Sequence, residues 1–300
     1  MSSALHDVRA TTAVVARRVP NLTALKHLAL APYVLLLIVF LVVPLLANVW
    51  TAVHDSEGNW SSSAFQKVLE PQYLSSFRDT ALLSATTAIL GGILGLVLAW
   101  ALTGDQVPRR LRDALLSFSG AASQFAGVPL AFAFIAALGT QGLVTTTVHD
   151  ATGWQITDTM RLQDFWGLTL VYLYFQTPLM AILVLPAIAG LRREWLESAQ
   201  SLGAGRARYL WDITLPITAP AVAGAVLLLF ANAFSAYATA YAISGGGANL
   251  VAVMIGFFIS GNVLLDESFA AALVTGMVLV VALALLGRWL LLRRTTRWMR

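Results

Sequence analysis

An all-α, polytopic membrane helix bundle with six transmembrane helices and both termini cytoplasmic is the fold this sequence predicts. Three observations predict it: an apolar composition, six long uncharged runs, and a one-sided distribution of positive charge. Of the 300 residues, 58% are hydrophobic and only 11% are charged, whereas a soluble domain carries about 25% charge. So few charges cannot cover a water-facing surface, and most of this surface must meet lipid. The absence of cysteine removes disulfides, iron–sulfur clusters and thiolate chemistry. The formal net charge of +4 gives no nucleic-acid partner, because the positions of the charges matter more than their sum.

A bilayer core about 30 Å thick is crossed by about 20 apolar helical residues. Six runs without Asp, Glu, Lys, Arg or His meet that length, at 28–50, 80–103, 114–139, 165–191, 217–243 and 269–287. Their apolar residues are continuous rather than periodic, the pattern of lipid-embedded helices. The first run exceeds the usual h-region of about 7–15 residues, so it is read as a retained span and not a cleaved signal. The third is interrupted by Ser117, Ser119, Gly120, Ser123, Gln124, Gly127 and Pro129. It is counted because removing it would move every later loop to the other side.

Charge tests the count. The N-terminal tail, the loops at 104–113 and 192–216 and the C-terminal end hold 16 of the 19 Lys and Arg residues. The opposite loops hold only Lys67, Arg78 and Arg161. Lys and Arg stay cytoplasmic during insertion, so both termini are expected inside and the number of spans is even. The organisation that follows is a cytoplasmic tail at 1–27, a six-span domain at 28–292 with a cytoplasmic loop at 192–216, and a second tail at 293–300.

The spans are informative for what they lack. Ion-driven carriers commonly couple through an intramembrane Asp, Glu or His, and none is present. The four histidines, His6, His27, His54 and His149, lie outside the runs, and no HExxH or GxSxG pattern occurs. Neither Lys26 nor Lys67 follows a glycine-rich loop, so the chain has no P-loop. No catalytic residue, metal ligand or cofactor bound by this chain is expected. A passage powered from outside fits better than an enzyme; an ATP-independent carrier or channel is the alternative. Candidates for lining the passage are Gln124, Gln176, Asn232, Ser235, Tyr237 and Thr239. Interhelical hydrogen bonding would equally use such residues, at about 0.6–2 kcal/mol each. Asn232, Ser235, Thr239 and Ile243 would share one face of a continuous helix. Gly91 and Gly95 form a small-xxx-small pair suited to close helix packing.

The loop at 192–216 reads as a short helix over 194–202 with Trp195, Leu196, Ala199 and Leu202 on one side. Gly203 stands where a left-handed residue would stop it. A second short helix is expected over 206–211, with Pro216 opening the fifth span. Without a partner, this segment would rest on lipid as an interfacial helix.

The segment resembles the EAA loop of permease subunits of type I ABC importers. Glu197-Ser198-Ala199 is followed after three residues by Gly203, nine residues later by Ile213, and then by Thr214 and Leu215-Pro216. Ser198, in place of the second alanine, is the one departure. The resemblance covers roughly 28–292 and implies a mechanism: the loop lodges in a cytoplasmic ATPase, whose ATP-driven closure switches the spans between inward- and outward-facing states. Glu197, Ser198, Ala199, Leu202, Gly203, Arg206, Ile213, Leu215 and Pro216 would carry that coupling. It further implies two ATPase subunits holding ATP and Mg, a second permease subunit, identical or homologous, and an extracytoplasmic substrate-binding protein. The setting would be the inner or plasma membrane of a prokaryote. The stretches 72–80 and 234–261 look most like the branch for polyamines, ferric iron, thiamine and aminophosphonates, with sugars as the competitor. A solute of the polyamine or aminophosphonate kind is therefore the expectation.

Overall fold

The computed structural model describes residues 22–55, 57–104, 107–260 and 266–296. Fifteen α-helical segments account for most of them. In chain order they are α1 (Leu22–Leu37), α2 (Val43–Ala52), α3 (Ser63–Val68), α4 (Pro71–Thr103) and α5 (Arg109–Gln124). Then come α6 (Val128–Leu138), α7 (Leu143–Thr152), α8 (Ile156–Thr159), α9 (Phe165–Ala189) and α10 (Arg193–Ser201). The last are α11 (Arg206–Tyr209), α12 (Leu215–Phe234), α13 (Ala238–Ser244), α14 (Val251–Ser260) and α15 (Glu267–Thr296). Among the described residues the only β contact is an isolated bridge between His54 and Trp60. Six helices or helix pairs are long and apolar enough to cross a membrane: Leu30–Ala52, Pro71–Thr103, Val128–Thr152, Phe165–Ala189, Ala207–Phe234 and Glu267–Arg293. This is the all-α, six-span membrane fold that the sequence predicts.

The chain divides into two compact units, 1–50 and 51–300. In the first, α1 passes through a π turn, Ile38–Val42, before α2. Its apolar side chains are exposed around the helix, Phe40 at 75% among them, as befits a surface made for hydrocarbon. The helix begins at Leu22, ahead of the uncharged run, because a cation at a helix end does not prevent helical backbone.

In the second unit, α4 and α9 form the central pair. Gly91 and Gly95 let them approach: a Cβ on Gly95 would stand 2.4 Å from Met180 Cβ and 2.5 Å from the Thr177 carbonyl oxygen. No larger residue fits there without moving backbone. Ala88, Ala99, Met180, Ala181, Val184, Ala225 and Leu229 pack α4, α9 and α12 into one buried cluster. A second cluster joins α3, α14 and α15 around Phe269, with Tyr73 and Phe258 ringed against it. Asp266 caps α15 by accepting from the Phe269 N–H at 3.0 Å. It also pairs with Lys67 at 2.9 Å, and that hydrogen bond holds the ammonium above its ordinary pKa.

Three expectations need correction. The run at 114–139 is not one helix: the chain breaks at 125–127 between α5 and α6, with Gly127 at φ +77° and Pro129 in the first turn of α6. The run at 217–243 also breaks, at 235–237 between α12 and α13. The second short helix at 206–211 does not stand apart. α11 runs through a π turn, Leu210–Thr214, directly into α12. Both π turns end two residues before a proline, Pro44 and Pro216. Proline removes its own N–H and its ring collides with the carbonyl four residues back, and a wider turn relieves that collision without ending the helix. After the fifth span the chain forms a further apolar helix, α14, whose 10 residues are too few to span.

Candidate translocation cavity and coupling elbow

The two helix breaks face each other. A break in a membrane helix strands peptide groups that lipid cannot satisfy, so it persists only where protein or a wet cavity supplies partners. Here they are supplied across the gap. The Gly127 N–H donates to Thr239 Oγ1 at 2.8 Å, and the Thr239 hydroxyl lies 3.4 Å from the Gly127 carbonyl it can donate to. Tyr172, buried in α9, donates its hydroxyl to the Ala236 carbonyl at 3.0 Å. Gly127 has the positive φ of a conformation open almost only to glycine, and it sets the position of the first break.

Between the breaks lies a cavity of about 410 Å³ lined by Ser123, Gln124, Gly127, Asn232, Ser235, Tyr237 and Thr239, with Phe175 behind them. Five of the six residues expected to line a passage therefore meet at one place: Gln124, Asn232, Ser235, Tyr237 and Thr239. They do so from the ends of α5, α12 and α13, not from one helical face. Ile243 leaves the group for the core. Gln176 is not part of it. Its side chain is fully buried between α9 and α4, and its Nε2 donates to Thr87 Oγ1 at 2.7 Å. Every lining side chain is neutral, so the cavity offers hydrogen bonds without fixed charge. No cluster of His, Cys, Asp and Glu suited to a metal ion occurs among the described residues.

On the far side of the glycine turn at 245–247, Asn249 ties the chain to α4. It accepts from Ser76 Oγ and donates to Ser75 Oγ at 3.1 Å and Asp79 Oδ2 at 2.8 Å. The next N–H but one, that of Val251, donates to Thr80 Oγ1 at 2.9 Å. Sequence reasoning missed Asn249, Tyr172 and Ser123. An Asn closing a glycine turn is a recognisable signal, whereas Tyr172 inside an apolar run carries none.

The elbow at 192–216 is built differently. α10 ends in a Schellman turn, with the Gly203 N–H bonded to the Gln200 carbonyl and the Ala204 N–H to the Ala199 carbonyl, each at 2.9 Å. Gly203 takes φ +80° with open space where a Cβ would stand, so glycine is favoured by backbone conformation and not by crowding. Ala199 is buried, but Leu202 is 87% exposed, and Trp195, Trp211 and Leu215 also show much apolar surface. Glu197, Ser198, Gly203 and Pro216 are exposed, with Ile213 intermediate; of the Arg206 side chain nothing is described. The ion pair Arg208–Asp212, at 3.3 Å, spans the entry to the π turn.

Comparison with known proteins agrees with this architecture. Residues 91–296 match the family described as binding-protein-dependent transport system inner membrane component. The sulfate transport system permease protein CysT of Escherichia coli (strain K12) is 27% identical over 240 residues, covering 78% of this chain and 79% of that protein. The CysT protein of Synechocystis sp. is 26% identical over 263 residues, covering 85% and 83% respectively. Among solved structures, a bacterial ABC transporter involved in the import of the acidic polysaccharide alginate has a chain that superposes with a TM-score of 0.67. It is 18% identical and covers 92% of this chain and 96% of that one. These relatives correct the branch expected from 72–80 and 234–261, since they are named as sulfate permeases and not as polyamine, iron, thiamine or aminophosphonate permeases. In those stretches Ser75, Ser76, Asp79 and Asn249 hydrogen-bond within the chain, and Thr80 accepts from the Val251 N–H. With the family model matching more than half of the chain, this protein belongs to the inner-membrane components of binding-protein-dependent transport systems, a non-enzymatic, multi-pass permease subunit of the ABC importer type.

Proposed function

We infer that this chain forms half of the translocation pathway of an ATP-driven importer for sulfate or a similar tetrahedral oxyanion. The observation that carries the reading is the neutral, hydrogen-bonding cavity at the facing helix breaks, in a chain whose relatives are sulfate permeases. A solute with several acceptor oxygens suits the amide N–H donors of Gln124 and Asn232, while the hydroxyls of Ser123 and Ser235 donate to the Gly120 and Ala231 carbonyls at 2.9 and 3.0 Å and keep the lining polar. The absence of a carboxylate from the lining removes the repulsion that would exclude an anion, and the N-terminal end of α6 adds a favourable dipole. The absence of a fixed cation keeps the anion from being held too tightly to leave. Discontinuous helices serve transporters in this way, with half-helix ends lining a site within the bilayer.

Energy enters through the elbow. One of the two ATPase subunits grips α10, the exposed Leu202 and Trp195 entering an apolar cleft while Glu197 and the neighbouring arginines meet charges on its rim. Their closure on ATP moves α11 and α12, which form one helix through the π turn, and so displaces Asn232 and Ser235 at its far end. A second permease subunit completes the pathway, and a substrate-binding protein delivers the solute from outside. Both termini lie in the cytoplasm.

The test is uptake by the complete complex in vesicles charged with ATP. Radiolabelled sulfate should accumulate, selenate should compete with it, and spermidine should not. Accumulation of spermidine in place of sulfate would overturn the solute assignment.

A further inference from the structure

Behind the polar cavity lies another, of about 350 Å³ and different character, lined by Ala252, Ile255, Gly256, Ile259, Val274 and Met277 of α14 and α15. One residue lines both: Tyr237. Its place is set from two sides. On one, its ring packs on that of Tyr241 one turn along α13, centroids 5.2 Å apart. On the other it rests on Gly256, where a Cβ would stand 2.4 Å from Cε2, 2.7 Å from Cζ and 2.8 Å from the hydroxyl oxygen. Helix α14 therefore has no side chain where it meets the ring, and any other residue at 256 would push the ring away. Gly256 has a negative φ, so the tyrosine accounts for the glycine and backbone conformation does not.

We propose that the Tyr237 ring, seated on Gly256, is the partition that keeps the polar solute path separate from the apolar cavity between α14 and α15. The inference rests on the reading of the polar cavity as a water-filled pathway. A charged solute gains nothing from an apolar recess, and water entering that recess would open a second route beside the controlled one. An aromatic ring suits the barrier because it is rigid and broad, and its hydroxyl end rests against Gly256, so the ring bridges from the polar lining to α14. Tyr237 is in these terms a specificity-determining residue: it sets which volume the solute reaches.

The chain contains no cysteine, so single thiols report on each cavity without background. The full chain, assembled with its partner subunits in membranes, is labelled with an anionic methanethiosulfonate reagent. Ser235→Cys, in the polar cavity, reacts. Met277→Cys, in the apolar one, is protected, remains protected with Tyr237→Phe, and reacts about tenfold faster or more with Tyr237→Ala, since access controls thiol reactivity. Gly256→Ala forces the ring toward the polar side and slows labelling of Ser235→Cys; adding Tyr237→Ala restores that rate. Equal reactivity of Met277→Cys with and without the tyrosine ring overturns the partition alone. An inert Ser235→Cys would show that the polar cavity is dry and would end both this inference and the pathway reading beneath it.

Discussion

The elbow and the cavity, the two regions proposed to act in transport, are held by opposite means. The elbow is shaped almost wholly by local backbone: a Schellman turn at Gly203, one i,i+4 ion pair at its second helix, and apolar side chains turned outward. The cavity is shaped by distant partners, with Tyr172 reaching Ala236 and Gly127 reaching Thr239 across 64 and 112 residues. A surface kept for another subunit can be fixed by a few adjacent residues. A gap kept open within a membrane needs its loose peptide groups satisfied from elsewhere in the fold. Substitutions at the elbow should accordingly disable coupling and spare folding, whereas those at the breaks should disturb both.

The largest expected effect is at the elbow. Glu197→Arg and Gly203→Val should abolish substrate-stimulated ATP hydrolysis while the chain still inserts and assembles. Valine is strongly disfavoured at φ +80°, whereas asparagine tolerates that region, so Gly203→Asn should keep much of the stimulation. ATPase assays with and without the loaded binding protein measure this. Normal stimulation in Glu197→Arg and Gly203→Val would erase the contrast between the two regions.

Gly95→Ala supplies the control for packing that belongs to neither region. Its Cβ would collide with Met180 and Thr177, and overpacking of this kind costs about 1–3 kcal/mol. Thermal denaturation in detergent should fall, with the residual complex still stimulated by its binding protein. Thr239→Val should destabilise through another cause and by less, because the part-buried Gly127 N–H loses its protein partner and can turn only to cavity water. Here the thermal shift should come with altered labelling of the cavity, and Thr239→Ser should reverse both.

The smallest effect is expected at the Lys67–Asp266 pair. Asp266→Asn retains a capping oxygen for the Phe269 N–H but loses the partly exposed Lys67 pair, worth about 0.2–1 kcal/mol. Because Lys67 has a raised pKa in the folded chain, its contribution is fully present below the unfolded lysine value of about 10.4 and is lost as pH rises through the folded one. Wild type and Asp266→Asn should therefore differ by the same small margin from neutral pH to about 9, and converge only in strong alkali. A difference that changes through neutrality would contradict the assignment.

Legibility in the sequence followed the same division. The spans and the elbow could be read because their causes are local: uncharged runs of sufficient length, and a glycine at fixed distance from a short helix. The break at Gly127 left a partial trace in Gly127 and Pro129. The break at 235–237 left little, since Ser235, Ala236 and Tyr237 all occur within helices, and the Tyr172 hydroxyl that satisfies the Ala236 carbonyl there lies 64 residues away. Gln176 and Gln124 look alike in sequence, and only packing separates the one that binds Thr87 from the one that lines the cavity. Helix α14 left no clear signal, because its 10 apolar residues are too few for a span.

The central claim is that the elbow drives the cavity, and accessibility of Ser235→Cys in the assembled transporter tests it most directly. Labelling from the outer side should change when ATP and vanadate trap the ATPases closed, and the change should vanish when Glu197→Arg is added. A labelling rate indifferent to nucleotide, or a response that survives Glu197→Arg, would contradict the account.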